Sequence, residues 1–182
     1  MTIFFTSDTH FNHDNILKYC NRPWKTIAEM NEGLIKAWNE TVTPEDVVYH
    51  LGDFAMGDRR LIPDILARLN GHIILVQGNH DRSKTLSAFK DVRDHVVLEM
   101  GGLKFELAHN PGHLKQDCDF AFCGHVHEQW TFREIGDEIS EDDVSDHYYR
   151  HPRIICRVPV YNVGVDVRGY RPRTMQEILT TM

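Results

Sequence analysis

The sequence predicts an α/β sandwich, with two β-sheets facing each other and helices on the outside. Two observations carry this. From residue 2 to residue 89, short β-branched and aromatic runs alternate with segments of helical apolar spacing; from residue 95 onward the pattern is mostly β. The apolar runs also end abruptly in polar or glycine-containing tetrads, as strands do at the rim of an α/β sheet where loops gather around a ligand crevice.

Thr2–Thr6 is the first strand and ends in Ser7-Asp8-Thr9-His10. Thr26-Ile27-Ala28-Glu29 has the spacing of a capping box. Ile27, Met30, Leu34 and Trp38 then recur at helical spacing, so residues 26–40 read as an amphipathic helix. Asp46–Leu51 is the second strand, ending in Gly52-Asp53. Arg59–Leu69 reads as helical, and Pro63 must either sit in its first turn, where the missing N–H costs least, or break it. His72–Gln77 is a third buried strand and runs into Gly78-Asn79-His80-Asp81. Ser83 is placed to cap a short helix reaching about Phe89. His95–Met100, a Gly101-Gly102 turn and Leu103–His109 form a predicted hairpin. Asp119–Cys123 is a strand that ends in Gly124-His125-Val126-His127. Residues 134–147 (EIGDEISEDDVSDH) are acidic and aperiodic, which predicts a solvated loop excursion over 134–150; a lid or an oligomer contact is the alternative. Ile154–Val158 and Tyr161–Val165 read as closing strands, and Thr174 as the cap of a final helix, Met175–Leu179.

A chain of 182 residues suffices for one domain, 1–182, with a full core. No apolar run nears the ~20 residues that span a bilayer. Met1–Phe5 lacks the basic flank of a secretory signal. Cys20, Cys118, Cys123 and Cys156 lie far apart with no CxxC pair, so a reducing cytoplasm is expected and a disulfide framework is not. The net charge of −7 argues against an extended nucleic-acid footprint, which needs clustered basic residues. Twelve histidines are the unusual count, and since imidazole is the commonest metal-binding side chain their placement decides the reading.

That placement is specific. Asp8-Thr9-His10, Gly52-Asp53, Gly78-Asn79-His80-Asp81, His109 and Gly124-His125-Val126-His127 each follow or end a predicted strand, which puts seven oxygen and nitrogen donors near one rim. Carboxylate with imidazole suits Mn, Fe, Zn, Ni or Co, and the lack of thiolate argues against a closed structural zinc site. The two-residue spacings Asp8/His10 and His125/His127 aim both side chains the same way if the backbone stays extended. Gly52, Gly78 and Gly124 allow tight turns beside the donors.

DxH, GD, GNHD, a lone His and GHxH, in that order over residues 8–127, resemble the calcineurin-like metallophosphoesterase superfamily, and the whole chain is similar to its small bacterial and phage-type members. Asn162-Val163-Gly164 is similar to the family's closing strand. The resemblance implies a four-layer αββα sandwich of two facing mixed sheets. It implies two divalent ions, Mn2+ first, with Fe, Zn, Ni or Co as alternatives. Asp8, His10 and His127 would hold one; Asn79, His109 and His125 the other; Asp53 would bridge. A hydroxide between the ions would attack phosphorus. His80 would face the phosphate and serve charge stabilisation or leaving-group protonation, with Asp81 hydrogen-bonded to it.

The remaining polar residues carry weaker expectations. His13 is a substrate or metal neighbour. Arg22 is read as a bidentate phosphate contact, against the plainer reading of a surface ion pair, and Arg82 as a similar contact. His50 reads as a half-buried strand residue, with a group supporting the metal ligands as the alternative; His113 reads as part of the loop after His109, and His72, His95, His147 and His151 as ordinary surface or strand residues. Trp24, Trp38 and Phe54 belong to the core.

The expected function is hydrolysis of a small, nucleotide-sized phosphomonoester or phosphodiester. A non-catalytic binding scaffold is the alternative from another class, but it is disfavoured because all seven donors and His80 are present. A Ser/Thr protein phosphatase resembles GDxxDRG and GNHE, whereas here Asp58-Arg59 is displaced and Asp81 stands in place of Glu.

Overall fold

The structure is a computed structural model, and it describes residues 1–145, 150 and 152–180. His147 and His151 therefore lie outside the described residues. The strands are β1 (Ile3–Thr6), β2 (Val47–His50), β3 (His72–Val76), β4 (Asp91–Arg93), β5 (Val96–Met100), β6 (Leu103–Leu107), β7 (Phe120–Cys123), β8 (Phe132–Arg133), β9 (Glu138–Ile139), β10 (Ile154–Ile155), β11 (Val160–Asn162) and β12 (Arg173–Thr174). The helices are α1 (Ile16–Tyr19), α2 (Ile27–Asn39), α3 (Ile62–Leu66), α4 (Ser83–Leu86), α5 (Glu141–Val144) and α6 (Met175–Leu179).

Two five-stranded mixed sheets face each other, as the fold class requires. The first runs β12-β1-β2-β3-β4, parallel except for β12; the second runs β5-β6-β7-β11-β8, with β6, β7 and β11 parallel. Strand alternation sorts the cores. Phe4, Val48 and Leu75 point outward onto Met30, Leu34 and Trp38 of α2 and Ile62 and Ile65 of α3. Their neighbours Phe5 and Val76 point inward and meet Phe105, Leu107, Phe122 and Tyr161 of the second sheet.

The helix expected over 26–40 forms with its capping box: Glu29 N–H donates to Thr26 Oγ1 at 3.2 Å and Thr26 N–H to Glu29 Oε2 at 3.3 Å. The same device, Thr174 with Glu177, opens α6. Ser83 does not cap α4; Arg82 occupies that position and its side chain makes no cap.

The acidic excursion is the main correction. It is not solvated throughout. β9 pairs antiparallel with β10, Ser140 caps α5, and Ile139 and Val144 are fully buried against Ala121, Val160 and Trp130 on the outer face of the second sheet. Glu134, Asp137, Glu138, Glu141 and Asp142 face water while two apolar residues anchor the segment, so the described outer layer on this side is a hairpin with a one-turn helix. The predicted strand Ile154–Val158 is correspondingly reduced to two residues.

The parallel strands of both sheets end on one rim. Val165 N–H donates to Ser7 O at 3.1 Å, and Asp8 and His10 donate to the carbonyls of Gly52 and Asp53, each at 3.0 Å. The loops after β1, β2 and β11 are thereby stitched into one surface.

Candidate metal centre

The expected donors converge on that rim. Ligand atoms of Asp8, His10 and His127 all lie within 4.8 Å of one another, and so do those of Asp8, Asp53 and His109. Asn79 Oδ1 is 2.9 Å from His109 Nε2 and 3.1 Å from His125 Nδ1. Asp53 Oδ2 sits between the two groups, 3.6 Å from His10 Nε2 and 3.5 Å from His109 Nε2.

The side chains converge for a reason other than the expected one. The backbone at these positions is not extended. Asp8, His10, Asp53, His125 and His127 all have φ between 47° and 73°, and they are five of the nine non-glycine residues with positive φ among those described. Left-handed backbone is uncommon outside glycine and is kept only where the surroundings enforce it, so its concentration on the donor residues marks the functional surface. Nor do all the glycines serve as turns. Gly52 has a positive φ, but at Gly124 a Cβ would collide with Ser7 Oγ and Asp8 Oδ2, so that glycine makes room for a donor.

Electrostatics are set by burial and by mixed charge. Burial raises the Asp8 carboxyl above its ordinary value. Burial alone would raise Asp53 too, yet the imidazoles of His109 and His10 beside it hold it well below. Burial lowers His10 far below the usual imidazole value and lowers His125 to about 4. These rings are neutral near pH 7, the form that binds metals.

Hydrogen bonds aim the rings. His109 Nδ1 is 2.7 Å from Leu51 O, which turns Nε2 toward Asp53. His127 Nδ1 is 3.0 Å from Asp166 Oδ2. Asp166 was not among the expected site residues. It follows Gly164 by two positions, after the closing strand, and a glycine-then-acid signal like that of Gly52-Asp53 could have pointed to it. Its other partner corrects the reading of Arg22, which is buried and donates to both Asp166 oxygens at 2.8 and 3.0 Å. Arg22 also donates to the carbonyls of Thr9 and Asp8, at 2.9 and 2.7 Å. Its guanidinium is used up as an internal brace that ties the first donor loop to His127, so it has no face left for a phosphate.

Asp81 is corrected in the same way. Its carboxylate accepts N–H bonds from Asp53, Phe54 and Gly78 at 2.8, 3.1 and 2.9 Å, which locks two donor loops together rather than orienting His80. Burial and the Asp53 charge push its pKa up to about 6, against those three donors. His80 lies 4.0 Å from Asp53 Oδ2 and shares a cleft with His10, His13 and His127. His13 packs 5.3 Å from the His10 ring. Arg82 is exposed at the start of α4 and does not line this cleft.

His50 is fully buried, not half-buried; its Nε2 is 2.9 Å from Thr9 Oγ1 and burial lowers its pKa to about 3. His113 closes the turn Pro111–His113 and is exposed. His72 is exposed, and His95 pairs with buried Glu106 at 2.6 Å.

Whether a metal fits can be tested on His10. It is 2% exposed and neither ring nitrogen has a hydrogen-bond partner. Buried polar atoms are almost always satisfied. An imidazole with both nitrogens unpaired, facing Asp8 and Asp53, fits a cation site. A third cluster, Cys20 with His127, Glu128 and Asp166, does not compete, because Asp166 is committed to Arg22 and His127.

Comparison with known proteins agrees with this geometry. The family model described as the calcineurin-like phosphoesterase superfamily domain matches residues 1–143, and the chain belongs to that superfamily. It is 36% identical over 179 residues to the uncharacterized protein MJ1445 of Methanocaldococcus jannaschii, covering 97% of this chain and 89% of that one. It is 27% identical over 195 residues to the Gene 66 protein of Mycobacterium phage L5, covering 91% and 87%. Its fold is similar to that of AQ665, a protein of unknown function from Aquifex aeolicus, with a TM-score of 0.70, 27% identity and coverage of 99% and 98%. No helix among the described residues is long and apolar enough to cross a membrane.

Proposed function

We propose that this protein is a metal-dependent hydrolase of small phosphate esters that uses two divalent cations, with Mn2+ the first candidate. The observation that carries the reading is buried His10, unpaired at both nitrogens between two carboxylates. Asp8, His10 and His127 would hold one cation, Asn79, His109 and His125 the other, and Asp53 would serve both. When bound, the pair would supply Lewis acidity, activating water and offsetting charge that develops on the phosphoryl oxygens.

The chain's own groups do the rest. Asp166 holds the His127 Nδ1 proton, so that Nε2 presents its lone pair. Leu51 O does the same for His109. Arg22 and Asp81 clamp the donor loops from behind, which limits reorganisation. His80, partly exposed at the cleft, is placed to donate a hydrogen bond to the phosphate or a proton to the departing oxygen.

The test is hydrolysis of 4-nitrophenyl phosphate and bis(4-nitrophenyl) phosphate by Mn2+-loaded protein. Activity should disappear on chelation and return with Mn2+. Asp53→Asn removes several kcal/mol of charge stabilisation and should lower kcat on the order of 1,000-fold. A Mn2+-loaded protein inactive on both esters, or an Asp53→Asn variant as active as wild type, would overturn the reading.

A further inference from the structure

We infer that the cleft beside His10 receives a planar aromatic ring of the substrate, stacked against Tyr19, and not a second phosphate. The inference rests on the proposed hydrolase reading and narrows its substrate class.

The cleft holds about 390 Å³, within the usual range for small-ligand pockets. Four of its lining residues, His10, His13, His80 and His127, belong to or touch the candidate metal centre. The others are Asn15, Ile16, Tyr19, Cys20 and Met56, and no Lys or Arg is among them. Beyond the metal centre and its histidines, a leaving group carrying further phosphates would meet no Lys or Arg on these walls, the side chains that commonly bind phosphate. An uncharged ring meets ordinary apolar and aromatic partners.

The rings form a row. His80 packs 5.8 Å from His10, His10 5.3 Å from His13, and His13 6.3 Å edge-on to Tyr19. Tyr19 thus stands two ring contacts from His10, on the wall of the same cleft. It is 68% exposed, which leaves its face open for stacking. Buried Ile16 anchors the same turn, and half-buried Met56 lines the same cleft with a side chain suited to varied ring shapes.

The test is calorimetric binding to the full-length Mn2+-loaded protein, which does not require turnover. The probes are methylphosphonate, phenylphosphonate, the methylenephosphonate analogue of adenosine monophosphate, and pyrophosphate. The ring-bearing probes should bind about tenfold tighter than methylphosphonate, the size of one ring stacked on an aromatic face. Tyr19→Ala should erase that gain, Tyr19→Phe should keep it, and methylphosphonate affinity should stay constant across all three proteins. Met56→Lys should shift preference toward pyrophosphate. A gain confined to the adenosine probe would identify a nucleobase site, and an equal gain for phenylphosphonate a general aryl site. No ring gain in wild type, an unchanged gain in Tyr19→Ala, or tighter binding of pyrophosphate than of the ring probes would overturn the inference. Because the esterase assay is separate, an inactive protein that still binds rings would sink only the hydrolase reading.

Discussion

Helix α2 and the donor rim lie in one molecule but obey opposite rules. In α2 the levels agree except at Gly33, which gives up helix propensity to make room for Trp24. The cap, the apolar spacing and the burial of Met30, Leu34 and Trp38 all favour the same conformation. At the rim the local rules are broken repeatedly. Five donor residues adopt left-handed backbone, three carboxylates (Asp8, Asp53 and Asp81) are buried, and neither ring nitrogen of His10 has a hydrogen-bond partner. The difference teaches where each property is kept: α2 contributes stability without chemistry, and the rim holds strained, charged groups that stability elsewhere must maintain. Substitutions in the two regions should therefore separate folding from function.

The largest effect should come from Arg22→Ala. The buried Asp166 carboxylate would lose both guanidinium bonds and keep only His127, and breaking such a buried pair costs roughly 3–5 kcal/mol. The carbonyls of Thr9 and Asp8 would also lose their donors. The expected outcome is a sharp drop in Tm together with Mn2+ affinity weaker by roughly 10- to 100-fold, the usual cost of losing a supporting partner. Titration calorimetry and thermal unfolding measure the two separately. If Tm falls while Mn2+ affinity holds, the brace belongs with α2 on the stability side of the comparison.

A middle-sized effect should appear at His50, which lies behind the rim. Its folded pKa, about 3, is below the ordinary value of 6.5, because burial disfavours the charged ring. The unfolded chain therefore binds a proton that the folded one refuses between these values. Stability from this residue is complete above pH 6.5 and is lost as pH falls toward 3, at up to about 1.4 kcal/mol per unit. His50→Gln, which keeps a partner for Thr9 Oγ1, should flatten the dependence of Tm on pH in that window. Parallel profiles for variant and wild type would show that another group governs acid sensitivity.

Legibility in the sequence followed the same division. The strands β1, β2 and β3 and helix α2 could be read because each repeats a local apolar period. β4, β8 and β12 could not, being two or three residues long with no room for a period. The donor residues were legible as residue types in order, and their gathering follows from parallel strands ending together. What joins them was not. Arg22 and Asp166 are 144 positions apart, and nothing local links them. Asp81 was assigned to its neighbour His80, yet it serves backbone N–H groups brought close by the fold, two of them in another loop. The run 134–147 looked solvated because its charges outnumber the two residues, Ile139 and Val144, that fasten it down.

The smallest effect is also the cleanest test of the comparison. Thr26→Ala removes the side-chain acceptor of the α2 capping box, which holds the Glu29 N–H at 3.2 Å, and leaves the reciprocal bond from the residue 26 N–H to Glu29 Oε2 in place. Such caps contribute about 1 kcal/mol, so Tm should fall by roughly 2–4 °C for a chain of this size. Both partners are exposed and on the side of the first sheet that faces away from the second, so no donor should move. Mn2+ affinity and kcat/KM should match wild type within error at temperatures well below the transition. Should Thr26→Ala instead weaken Mn2+ binding as Arg22→Ala is expected to, α2 would have to be counted as part of the support that holds Asn12, bonded to Asn31, and with it the loop that follows His10.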